Sequence, residues 1–286
     1  MDKLGPICRA VEDCAIVLDA IYGPDSGDRA VKNAAFHWDA DLDWRKLRVG
    51  YLKADFERKP EPEPEPPKQE KNAGAEEKKK AAAEREHRAQ VRARRAYDRR
   101  YDEAALAKLR EMGVNLVPVE LPKFPYDAMV ALLTAESAAA FDELTRTGRD
   151  KLLTEQSPDD WPNQFRIARF YPAVEYIQAN RARMMAMEAV GKIFETVDVI
   201  VAPTSSEQLV ITNLTGQPAV ILPNGFRGDD APKPPETDTG EHDNIGGPGT
   251  PVSLTFLGDL YGEAKLLAFA RAYQEATDFH KKHPKL

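Results

Sequence analysis

The side chains able to attack a carbonyl or hold a metal ion are few in this 286-residue chain. Its serines are Ser26, Ser137, Ser157, Ser205, Ser206 and Ser253, and none sits in a G-x-S-x-G elbow. Ser205-Ser206 has the best setting. The pair follows Val201-Ala202-Pro203-Thr204 at the end of a strand of buried type, and open α/β sheets take their ligands outside the carboxyl ends of strands. A serine nucleophile also needs a base in reach and N–H donors aimed at an oxyanion, and neither is visible around this pair. A pocket wall and a plain turn both stay open for it. Cys8 and Cys14 lie six positions apart at a helix start, which points them to different sides as buried, inert thiols. His280 and His283 are within ligand reach of each other on a helix, but no third ligand stands nearby. No metal site and no cofactor is expected. There is no Walker-type phosphate loop and no G-x-G-x-x-G after a strand. The residues alone describe a fold without a catalytic constellation.

The elements that must position these groups alternate. Val11, Ala15, Val17, Leu18 and Ile21 recur at helical spacing, and Gly23-Pro24 stops the run. Strands are expected at Leu47–Leu52, Val114–Val119, Val197–Val201, Ala219–Leu222 and Val252–Leu257. Helices are expected at Asp102–Met112, closed by Gly113, at Ala128–Thr145, at Val174–Glu195 and at Glu263–His280. In Ala128–Thr145 the inner side would carry Ala131, Leu132, Ala135, Ala139 and Leu144. This order is α/β, with a mixed sheet flanked by helices. The formal net charge of -7 gives no general electrostatic case for nucleic acid or anionic lipid. No apolar run approaches the ~18 residues that span a bilayer, no signal-peptide core follows Met1, and two cysteines make no disulfide framework. A cytoplasmic protein, with neither membrane nor nucleic acid as a partner, is the default expectation.

Charge and proline divide the chain into 1–56, 57–100 and 101–286. Glu57 to Lys80 holds seven acidic and seven basic residues, with Pro60, Pro62, Pro64, Pro66 and Pro67 among them. Alternating Glu and Pro excludes helix and central strand, so an extended solvated spacer is expected. Lys78 to Arg100 is rich in Ala, Glu, Lys and Arg, and reads as an exposed helix leading into Asp102–Met112. Its seven basic and three acidic residues from Glu84 to Arg100 form a solvated face or a patch for an acidic partner. Arg227 to Gly249 reads as a long loop between two strands.

Five stretches in order carry a family resemblance. Asp2-Lys3-Leu4-Gly5-Pro6-Ile7-Cys8-Arg9-Ala10-Val11-Glu12-Asp13 resembles the Asp-x-x-Gly-Pro-x-x-Arg-x-Val-x-Asp run of the amidase signature family. Phe194-Glu195-Thr196-Val197-Asp198-Val199-Ile200-Val201-Ala202-Pro203-Thr204 resembles its aspartate–strand–Pro-Thr segment, and Asn213-Leu214-Thr215-Gly216-Gln217-Pro218-Ala219 its Asn-x-x-Gly-x-Pro-Ala turn. Thr250 to Gly258 is similar to its late strand, and Tyr273 to His280 to the closing helix of amidotransferase A subunits within it.

The resemblance implies a serine hydrolase of carbon–nitrogen amide bonds. In the family a Ser nucleophile, a second Ser in a cis peptide and a Lys base do the chemistry, with a Gly-Ser-rich loop as the oxyanion hole. All lie upstream of the Asp-x-x-Gly-Pro segment, which here begins at residue 2, so no catalytic residue is carried over. The chain is expected to match the C-terminal portion of such an enzyme, begun or truncated at an internal Met, with Glu57 to Arg100 as an insertion. One side of its sheet should then be uncovered. Ser205, Ser206, Arg169 and Tyr176 are the candidates for contacts with a small amide substrate. Two further readings stay open. One is an amidotransferase A-type subunit that works on misacylated tRNA with partner subunits, and the other is a non-catalytic binding or assembly module.

Overall fold

In a computed structural model, residues 3–25, 27, 31–58, 74–204, 206–232 and 246–283 are described. The Pro60–Pro67 spacer lies outside these residues, as does most of the tip of the Arg227–Gly249 loop.

The β-branched run Val199-Ile200-Val201 forms the heart of strand β3 (Val199–Pro203), and every residue of β3 is buried. Alternate side chains serve opposite faces of the sheet. Val199 and Val201 join one core, with Leu106 and Leu109, Phe256, Phe269 and Tyr273. Ile200 and Ala202 join the other, with Met129, Leu132, Val190, Ile211 and Leu214. A strand buried on both faces needs helices on both. One layer comprises α1 (Val11–Ile21), the single-turn α2 (Lys53–Phe56), α3 (Ala75–Glu111) and α10 (Glu263–Thr277). The other comprises α4 (Tyr126–Met129), α8 (Ala173–Phe194) and α9 (Gln208–Thr215).

β3 is also where the sheet changes sense. β1 (Val49–Leu52) runs parallel to β2 (Leu116–Val119) and to β3. On the other side β5 (Pro251–Gly258) runs antiparallel to β3, and β4 (Ala219–Phe226) antiparallel to β5. The strand order is β2-β1-β3-β5-β4, so the chain is α/β with a mixed sheet flanked by helices, as expected. Asp198 pins the parallel pair at its start. It accepts from the Arg48 backbone N–H at 2.9 Å, from Arg48 Nε at 3.1 Å and from Lys265 Nζ at 3.2 Å. Burial raises its carboxyl, but these donors outweigh burial and hold it down at about 2.

The long helix departs from expectation. Asp102–Met112 is the end of α3, which runs unbroken for 37 residues and closes at Gly113, φ +88°, with Val114 N–H donating to Leu109 O at 3.0 Å. Lys78–Arg100 is not uniformly exposed, since His87, Arg94 and Tyr97 are buried. Several of its basic residues are engaged within the chain. Arg94 donates to Pro232 O at 2.8 Å, and Arg100 lies over the Tyr97 ring and pairs with Asp230. Asp98 and Arg227 form a two-pronged pair at 2.8 and 2.7 Å. The other edge of that guanidinium donates to Thr250 Oγ1 and Pro251 O. Tyr101 donates to Phe226 O at 2.8 Å, and its ring occupies the space that a Cβ on Gly225 would need. α3 is thereby clasped to the β4–β5 hairpin.

Local chemistry accounts for three smaller departures. Ala128–Thr145 is not one helix. It breaks into α4, α5 (Ala131–Ala140) and α6 (Asp142–Arg146). The second break falls at Phe141, whose ring stacks on Phe165 of α7 (Trp161–Ala168), a helix that the apolar periodicity did not reveal. Ala138 is therefore buried there, while Ala139 is exposed. The closing helix ends at Thr277 rather than His280, because Asp278 turns left-handed at φ +55°. The Asn213–Ala219 stretch is not only a turn. It is the end of α9, stopped by Gly216 at φ +94°, whose N–H donates to Thr212 O at 2.7 Å.

The clasp and its neighbouring acid can both be tested through stability. Arg227→Ala should lower the unfolding free energy by about 2–4 kcal/mol, because it leaves the Asp98 carboxylate largely buried without its partner. A urea titration measures this, and a loss within error of zero would contradict the clasp. Asp102, on the inner side of α3, is pushed up to about 7, first by burial and then by Asp98 and Glu103. The fold thus favours the neutral acid, so this group costs nothing below its unfolded value near 4 and destabilises progressively as pH rises to 7. Asp102→Asn should raise stability at pH 8 by on the order of 2–4 kcal/mol and leave it nearly unchanged at pH 4. Melting curves at the two pH values read the difference.

Candidate functional site: the groove beside β4

β4 is hydrogen-bonded on one side, to β5, and ends the sheet. Along its other side runs a groove of 1410 Å³. It is lined by the extended segment Lys3–Ala10 ahead of α1, by α9, by β4 and β5, and by parts of α1 and α10. Large apolar side chains reach solvent here. Leu4 and Ile7 are fully exposed, and Leu209 and Ile221 are more than half exposed. The opening lies at this edge rather than over a whole side of the sheet, because both faces near β3 are covered.

The deep end of the groove is polar. Thr204, just past β3, and Thr255 of β5 share a hydroxyl hydrogen bond of 3.0 Å. Gln208 and Thr212, both buried, project from α9 into the same end. Next to it, Thr215 is hydrogen-bonded to Ile211 O and to Gln217 Oε1. Lys3 Nζ crosses to Gln217 O at 2.7 Å, and burial lowers the pKa of that amine. Gln217 Nε2, itself buried, has no hydrogen-bond partner among the described residues. Gln208 and Thr212 were missed in the sequence. Their signal was the run Gln208-Leu209-Val210-Ile211-Thr212 with Leu214, a helical pattern ended by Gly216 and concealed by its shortness.

The sequence candidates are scattered. Ser205 lies outside the described residues. Ser206 does not line the groove, and its Oγ is buried without a hydrogen-bond partner among the described residues. Arg169 caps the C-terminus of α7 and pairs with Asp142 of α6, whose carboxyl it holds down. Tyr176, in the first turn of α8, lines a second and mostly apolar cavity of 390 Å³, together with Met129, Leu132, Pro172 and Ala179. Ser206, Arg169 and Tyr176 thus share neither cavity. The cysteines are also corrected. Cys8 precedes α1 while Cys14 lies within it, and both are free and half-buried rather than buried. His280 lines the groove at its far end. Among the described residues no three His, Cys, Asp or Glu side chains gather as a metal site, and no helix is long and apolar enough to cross a membrane.

These features meet in one known family. Residues 57–210 match the Amidase family model, and the chain belongs to that family. The matched span opens within the charged interval ahead of α3. The A subunit of the glutamyl-tRNA(Gln) amidotransferase of Microcystis aeruginosa is 24% identical over 99% of this chain and 57% of its own length. A bacterial aryl acylamidase of the amidase signature family superposes with a TM-score of 0.61 at 15% identity, over 98% of this chain and 55% of its own. The peptide amidase from Stenotrophomonas maltophilia gives 0.61 at 22% identity, over 96% of this chain and 53% of its own. The likeness to the two structures is one of fold. The chain spans a little over half the length of the proteins it matches.

The Thr204–Thr255 bond gives a test of the polar end. Thr204→Val and Thr255→Val should each cost about 1 kcal/mol, and the double variant should cost clearly less than their sum, because one hydrogen bond is lost in all three. Additive losses in a double-mutant cycle would mean that the hydroxyls act separately.

Proposed function

We propose that this chain is part of an amidase-family enzyme acting on carbon–nitrogen amide bonds, and that the groove beside β4 receives the part of the family fold that carries the Ser–cis-Ser–Lys machinery. The family match over residues 57–210 carries the reading. Two observations support the role of the groove. The chain spans 57% of a relative that aligns with nearly all of it. The apolar edge of its sheet is open where a further strand could pair. In the assembled enzyme the nucleophile would attack the amide carbonyl after passing its proton through the bridging Ser to a neutral Lys. Backbone N–H groups would hold the tetrahedral oxygen. Tyr176, in the lining of the 390 Å³ cavity, is the substrate contact we carry forward for a small amide. Arg169 would act only after releasing Asp142, and Ser206 only after its buried hydroxyl is uncovered. A second reading, an amidotransferase A-type subunit with partner subunits in the cytoplasm, is favoured by the curated relatives that align over 99% of the chain.

The test is complementation. The chain alone should not turn over simple aryl amides. Co-expression with a separate polypeptide holding the Ser–cis-Ser–Lys portion of an amidase should give a stable complex with measurable hydrolysis. Turnover by the chain alone that survives a second purification would overturn the assignment of the groove. Capture of B- and C-type amidotransferase subunits would favour the second reading.

A further inference from the structure

The 390 Å³ cavity, lined by α4, α5 and the start of α8, is graded from apolar to charged. Met129 and Leu132, both almost wholly buried, form its inner part. Glu175, Tyr176 and Gln178, all exposed, form its outer part from the first turns of α8. Tyr171, in the turn ahead of α8, adds a second aromatic ring to the lining. Glu175 is the one charged side chain in that lining, and it makes no ion pair among the described residues. The bases carried by the same elements are engaged within the chain. Arg169 pairs with Asp142, and Arg181 donates to Gln178 Oε1 at 3.2 Å. Arg183 donates to Leu214 O at 2.7 Å and pairs with Glu136. Lys123, ahead of α4, is not part of the lining. The cavity therefore offers an apolar interior, two tyrosine rings and one uncompensated negative charge close to water.

We propose that this cavity binds a small apolar ammonium ion, a molecule whose ring or short alkyl body lies against Met129 and Leu132 while its positive head meets Glu175. The volume suits one ring-bearing small molecule. Burial of the apolar body supplies most of the affinity. The sign of the head is selected by the Glu175 carboxylate and by the tyrosine rings, whose faces attract cations. Glu175 repels a carboxylate ligand of the same shape, and a neutral one gains only the apolar contact. Because Glu175 is exposed, the bound ammonium keeps part of its water shell, and the preference is modest in size. The ligand class deepens the reading of Tyr176 as a substrate contact. As a statement about substrate it rests on that reading, with the apolar, positively charged part of the amide in this cavity. Binding itself needs only this chain.

Three probes of one shape separate the contributions: phenethylammonium, the neutral phenethyl alcohol and the anionic hydrocinnamate. Each is titrated into the full chain and followed by NMR of the methionine methyl groups, with the Met129 signal assigned through Met129→Leu. Phenethylammonium should shift the Met129 signal saturably, with a Kd on the order of 1–10 mM for a ligand of this size. It should bind about two- to fivefold tighter than the alcohol, and hydrocinnamate should bind weakest. Glu175→Gln, a substitution at an exposed position, should remove the advantage of the ammonium and leave binding of the alcohol unchanged. Equal binding of all three probes, tighter binding of hydrocinnamate, or no saturable shift at Met129 would overturn the proposal. These readouts are separate from hydrolysis. Complementation without turnover would leave the cavity assignment standing, and failure of the ammonium to bind would leave the family reading intact.

Discussion

The burial of β3 on both faces is the constraint from which the remaining structure follows. A strand of five buried residues can expose none of its backbone groups to water, so both of its edges must be paired and both of its faces packed. β1 and β5 meet the first demand, in opposite senses. Two helical layers meet the second. The aspartate at its start has the same logic. Asp198 leaves water only because Arg48 and Lys265 replace it, and in doing so it sets the register between β1 and β3. In the motif Asp198–Thr204 the acid therefore organises the sheet and stands away from the groove.

At the rim of the sheet, polar contacts add to the core that β4 and β5 share with β3. The β4–β5 hairpin lies at the rim of the sheet, and α3 reaches it through Asp98, Tyr97, Tyr101 and Arg94. These bonds hold the floor of the groove at one end, while Thr204 and Thr255 join β3 to β5 at the other. The groove is consequently a shaped surface with a polar deep end and apolar walls, an arrangement common to sites that orient a partner or ligand.

Most of the fold was legible in the sequence, for identifiable reasons. Five strands and most of the long helices announce themselves through β-branched runs, 3.6-residue periodicity and glycine stops such as Gly23 and Gly113. The failures share a cause, which is that tertiary contacts decide the outcome. Phe141 interrupts an alanine-rich helix because Phe165 is there to stack on it. Tyr97 and Arg94 are buried in a helix whose composition is that of a solvated one, because Asp230 and Pro232 arrive from more than a hundred residues away. The site was less legible than the fold. Strand-end logic points to Ser206, whose hydroxyl is buried, and misses Gln208 and Thr212 on a helix only eight residues long. The cysteine spacing suggests a plain helix, although Cys8 precedes α1.

The fit of Tyr101 over Gly225 has an evolutionary meaning. A side chain on residue 225 would strike the ring, and one helical turn earlier Asp98 grips Arg227. These two fixtures lie in the inner half of α3 and index it against the hairpin like a key in a keyway. Lineages can therefore lengthen or shorten the chain before Arg94 without disturbing the alignment of the sheet, whereas a single residue gained or lost between Asp98 and Glu111 would rotate the helix by about 100° and unseat every contact downstream.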